Sequence, residues 1–109
     1  MTDEQTDMKQ LEKEFHTAMM TIYQEGVKRR YYATYFLQML HQYGGVETAK
    51  RLLAKREIQA GLMKLCELGL LDSSMEAYVI NEHYQPLFTA EEYQEAHRRL
   101  VELEYFGKI

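Results

Sequence analysis

The chain has only one cysteine, Cys66, and one proline, Pro86. A lone cysteine rules out an internal disulfide and fits a reducing cytoplasm, where this protein is expected to reside. With proline so scarce and Leu, Met, Ala, Glu, Lys and Gln plentiful, helix is favoured over most of the 109 residues. No apolar run approaches the roughly 20 residues that cross a bilayer, so no membrane partner is expected. The MTDEQTD start is acidic and polar, unlike a signal or transit peptide. Strand-type alternation, internal repeats and low-complexity linkers are all missing.

Chemistry-bearing motifs are missing too. His16, His41, His83 and His97 form no pair at metal-ligand spacing with another His or with Cys66. Cys66 falls on the apolar face of a helix with no base near it in sequence, which fits an inert core thiol. Asp72 and Glu76 read as helix caps and not as an acid/base pair. No enzyme activity, metal or cofactor is expected.

What is present is a segmented helical pattern. Met8, Leu11, Phe15, Ala18 and Ile22 form one stripe on a first helix over 5–27, after a flexible 1–7. Gly26 is expected to weaken or end it. Tyr32, Phe36, Leu40 and Tyr43 share a face of a second helix over 31–43, and helical spacing places these tyrosines in the core. Gly44 closes that helix and Gly45 permits a tight reversal. A third helix, 46–55, buries Val46, Ala49, Leu52 and Leu53.

A fourth helix over 57–68 carries Ile58, Leu62 and Leu65 and stops at Gly69. Ser73 and Glu76 fit a capping box for a short helix reaching Asn81. Residues 82–88 read as a loop around Pro86. Thr89 and Glu92 form the strongest local signal, a capping box, with Phe88 stapled onto Tyr93. The last helix is expected to turn Tyr93, Ala96, Leu100 and Leu103 inward and Arg98, Arg99 and Glu102 outward. The fold class is all-α, one compact domain of five to six helices over 1–109.

Charge is polarised along this pattern. Between Lys28 and Arg56 stand seven bases and one acid, Glu47, a net +6 against −4 before and −6 after. Such asymmetry speaks to partners and not to fold. The candidate binding residues are Arg29, Arg30, Tyr32, Lys50, Arg51, Lys55 and Arg56, in the basic helix pair 28–56. Arginine beside tyrosine suits nucleic acid, through phosphate contacts and base stacking. The two helices at a glycine turn also fit a helix-turn-helix outline. The whole domain is acidic, however, and the would-be recognition helix has no clear set of Asn, Gln or Ser base readers. The same residues suit docking onto a protein, where Tyr, Met and Arg are enriched at interface cores. A protein partner is the first expectation and nucleic acid the second, an enzyme ranks below both, and a homodimer is compatible with the pattern.

The strings GGVETAKRLL, ELGLLDSS and PLFT, in this order within residues 31–105, resemble a family of small uncharacterised bacterial helical proteins. In that family the segment occurs alone and as a C-terminal module of larger chains. Cys66 stands where a bulky aromatic is common there, and Met63 and Lys64 where polar or small residues are usual. The resemblance implies a compact helical fold of bacterial or phage origin, and carries over no functional residue.

Overall fold

The computed structural model describes residues 3–55 and 60–107, with side chains from residue 7 onward. Arg56 and Ile58, both given a role above, lie outside the described residues. Six α-helices follow in order: α1 (Asp3–Lys28), α2 (Thr34–Tyr43), α3 (Gly45–Leu53), α4 (Ala60–Glu67), α5 (Met75–Val79) and α6 (Ala90–Glu102). Two 3-10 turns, Leu71–Ser73 and Glu82–Leu87, flank α5, and no strand occurs among the described residues. The fold is all-α. The radius of gyration, 13.8 Å, is near the roughly 13 Å of a single compact domain of this size.

Helix α1 is the long spine. Its stripe puts Phe15, Met19 and Ile22 in the core with Leu40, Ala49, Leu53, Val79 and Ala96. Phe15 meets Tyr84 and Phe88 edge-to-face at 5.2 and 5.1 Å, an arrangement the ring quadrupoles favour. This contact explains why 82–88 is not a loop. Asn81 Oδ1 accepts the His83 N–H (2.9 Å) and starts a 3-10 turn that delivers Tyr84 to Phe15.

Helix α1 also runs through Gly26 and stops only after Lys28. Its end is a Schellman motif: Tyr31 N–H donates to Gly26 O (2.8 Å) and Arg30 N–H to Val27 O (2.9 Å). Arg30 takes the left-handed position at φ 61°, where glycine is usual. Gly26 serves close packing instead, since a Cβ there would lie 3.0 Å from Tyr31 O. The second helix therefore starts at Thr34, three residues later than its spacing implied.

Gly44 alone makes the α2–α3 turn, at φ 82°, and Gly45 is already helical. A Cβ on Gly45 would lie 2.6 Å from His16 Cα, so glycine is what lets α3 approach α1. The His16 ring reinforces the approach by accepting the Gly45 N–H at Nδ1 (3.0 Å). One imidazole thus caps the first turn of a helix 29 residues away in sequence.

Helix α6 begins as expected. Thr89 Oγ1 accepts Glu92 N–H (3.1 Å), and Glu92 Oε1 accepts Thr89 N–H (2.8 Å). Phe88 packs on Phe15. Tyr93, expected inward, is exposed and stacks on His97. Arg99, expected outward, has no exposed surface at all.

Candidate functional site

The basic segment is divided among different surroundings. Lys50 Nζ reaches Glu92 Oε1 (2.8 Å) and lies 5.4 Å from the Phe88 ring centre. Glu92 is held below the usual carboxylate range by this ammonium and by the Thr89 amide, against the opposing pull of partial burial. Arg51 pairs with Glu47 (3.0 Å) and stacks over Tyr43 at 3.9 Å. Lys28 pairs with Glu25 (3.4 Å). Lys55 is exposed just past α3. Arg29 and Arg30 are exposed at the end of α1 and have no ion-pair partner among the described residues.

Just after those two arginines, Tyr31 and Tyr32 enter the wall of a cavity of about 470 Å³, which neither arginine itself lines. Its walls are Tyr23, Tyr31 and Phe36, Leu62, Leu65 and Met75 are among its other apolar residues, and Glu76 is its one charged lining residue among the described ones. The volume falls within the roughly 300–1,000 Å³ of ligand sites. Tyr32 and Tyr35 line the same cavity yet keep 60% and 66% of their surface exposed. Tyr32 and Tyr35 are therefore not core, and Tyr43 is half-buried. Tyr32 precedes α2, and the ten-residue helix turns Met39 and Leu40 inward while Tyr35 stays out. Of the described sequence candidates, Tyr32 alone lines this cavity; Arg29 and Arg30 directly precede its wall residue Tyr31 in the chain, Lys55 is exposed with no ion pair among the described residues, and Lys50 and Arg51 are occupied elsewhere.

The second constellation escaped sequence reading entirely. Arg99 Nη1 donates to Glu76 Oε2 (3.0 Å), Nε to Glu95 Oε2 (2.7 Å), and Nη2 to Leu52 O (2.9 Å). The guanidinium thus ties α6 to α5 and to the C-terminal carbonyls of α3, where a cation is favoured. Glu76 is not a cap: Ser74, not Ser73, accepts the Ala77 N–H and opens α5. Burial pushes the Glu76 carboxyl above its usual range, although its own amide and Arg99 pull the other way. Glu95, bonded by Arg98 and also by Arg99, is held down to about 2. A local signal could not show this, because Glu76 lies 23 residues from Arg99. This site is a structural clamp.

No group of three or more His, Cys, Asp or Glu among the described residues is placed to hold a metal ion. No helix among them is long and apolar enough to cross a membrane. His97 is stacked between Tyr93 (6.2 Å) and Phe106 (5.0 Å). No protein-family model, curated protein or solved structure matches the chain.

Proposed function

We propose that this chain is a non-enzymatic interaction domain that docks onto a protein, as an inhibitor, immunity or adaptor protein of a bacterial nucleic-acid-handling enzyme. One observation carries the reading: two arginines with no ion pair among the described residues directly precede the wall of an aromatic cavity, while Lys28, Lys50 and Arg51 are paired within the chain and Lys55 is exposed. An exposed Tyr–Arg cluster over an apolar hollow matches the composition of interface cores and of their energetic hot spots. The acidic flanks would keep the domain off nucleic acid and favour a basic enzyme as the larger partner. Cross-linking the tagged domain in bacterial cells should trap one partner at positions around Tyr32 and Tyr35. Trapping at positions spread evenly over the surface, or none, would contradict the reading.

Nucleic acid is the second reading, favoured by the same Arg29, Arg30, Tyr32 and Tyr35 cluster. It requires single- or double-stranded oligonucleotides to bind with steep salt dependence and to be lost with R29A/R30A. No binding at low salt would remove it.

A further inference from the structure

We propose that the aromatic cavity takes the apolar face of a short acidic segment of the partner protein, with Arg29 and Arg30 binding the carboxylates beside it. The occupant is one aromatic anchor with an aliphatic neighbour a helical turn away. This rests on the reading that the partner is a protein, and adds where that partner binds and what chemistry it presents.

The shape argues for a chain and against a small molecule. Sites for small ligands bury most of the ligand's surface. Here two wall rings, Tyr32 and Tyr35, themselves face solvent. An occupant that covers them must extend past the cavity over its lip. About 470 Å³ also exceeds what a single aromatic side chain fills, which fits two anchors on one helix face.

Charge names the flanks. Lys28, Lys50, Arg51, Lys64, Arg98 and Arg99 each have a carboxylate within 4 Å in the chain itself. Arg29 and Arg30 have none among the described residues; the same holds for Lys9, Lys13 and Lys55, but the two arginines run directly into the cavity wall at Tyr31, so the occupant is assigned to supply their carboxylates. Guanidinium groups suit this because they take carboxylates in a bidentate fork.

The backbone holds this lip in place. Arg30 sits at φ 61° in the position that Gly69 occupies, at φ 72°, after α4. The turn folds Tyr31 back against Gly26, with Tyr31 Cδ2 3.2 Å from where a Cβ would stand. Tyr31 then reaches across to α4, its hydroxyl 3.2 Å from the corresponding point on Gly61. The basic lip and the aromatic wall are therefore one rigid corner, set before any partner arrives.

Isothermal titration of the full chain tests the assignment. The probes are a 14-residue peptide bearing Trp and Leu one turn apart among glutamates, the same peptide with lysines for glutamates, the same with Ser for Trp and Leu, and decanoate. The glutamate peptide should bind, and the lysine and serine versions should bind at least about tenfold more weakly. R29A/R30A should weaken the glutamate peptide about tenfold, as two exposed ion pairs allow. A60F, which places a ring at the lip from an exposed position lining the cavity, should abolish binding and leave the melting temperature within about 2 °C of wild type, as surface changes usually do. No binding of the glutamate peptide at millimolar concentration overturns the proposal, as does equal binding of the lysine peptide. Binding of decanoate without the peptide would make the cavity a small-molecule site and overturn it too. Self-association of the wild type that A60F abolishes would make a second copy the occupant, with the same consequence. If a cross-linked partner survives both A60F and R29A/R30A, the protein-docking reading stands and this site assignment falls.

Discussion

Arg99 and Arg30 stand in opposite surroundings. Arg99 has no exposed surface and donates to two carboxylates and to a carbonyl of α3. Arg30 is exposed, has no ion pair among the described residues, and sits on a left-handed backbone. Around Arg99, α3, α5 and α6 close on satisfied polar groups. Around Arg30, α1, α2 and α4 leave aromatic surface open, over a cavity whose floor meets the clamp at Leu52 and Glu76. A small helical domain can thus spend buried charge on closing one side and leave the other as a surface for binding. The first side should answer mutation in stability, the second in binding.

The largest test of that division is R99M. It keeps a long apolar stem but strands the buried Glu76 carboxylate, and breaking a buried pair from one side costs about 3–5 kcal/mol. Chemical denaturation should show that loss. A loss under about 1 kcal/mol would mean that Arg99 is no clamp. On the same side, G45A sets a methyl against the α1 backbone at His16. Overpacking of this kind costs about 1–3 kcal/mol, and melting curves should fall accordingly.

Acid should loosen the clamp in a defined window. The folded-state pKa of Glu95 is depressed, to about 2 against an ordinary 4.5. Its contribution is therefore complete above about pH 4.5 and is lost as pH falls toward 2. Glu92 acts in the same direction, and the buried Glu76 opposes both, since its raised pKa makes its protonation easier in the folded chain. Melting temperature should drop between pH 4.5 and 2 in wild type and drop less in E95Q. An unchanged slope in E95Q would contradict the assignment.

The open side should behave in the reverse manner. R30G relieves the left-handed strain and should stabilise the chain by about 0.5–1 kcal/mol while weakening binding of the acidic peptide. E104G relieves the same strain at φ 60° after α6 and should stabilise without touching binding. Stability and affinity that move together in R30G would erase the distinction between the two sides. The smallest effect is expected at Thr48, whose buried Oγ1 has no hydrogen-bond partner among the described residues. T48V should leave stability unchanged or raise it by about 1 kcal/mol, because an unsatisfied hydroxyl is costly to bury.

What was legible in the sequence follows the same division. The all-helical class, the Gly69 stop and the Thr89–Glu92 capping box rest on neighbours within a turn, and these stand in the structure. Arg99 was misplaced because its burial depends on Glu76 and on the end of α3, both remote in sequence. Tyr32 was misplaced because helical spacing gives a face and not what covers it. Gly45 was read as a turn residue, but its reason is His16 on another helix. Arg29, Arg30 and Tyr32 were singled out in the sequence by charge and composition. The cavity that gives them meaning needed α4 to be placed.

Amide chemical-shift mapping with the glutamate peptide tests the central claim most directly. Shifts should be confined to the end of α1, to 29–39 and to the first turns of α4, with the α6 amides still. Shifts centred on α6 or around Lys50 and Arg51, or spread without a focus, would contradict it.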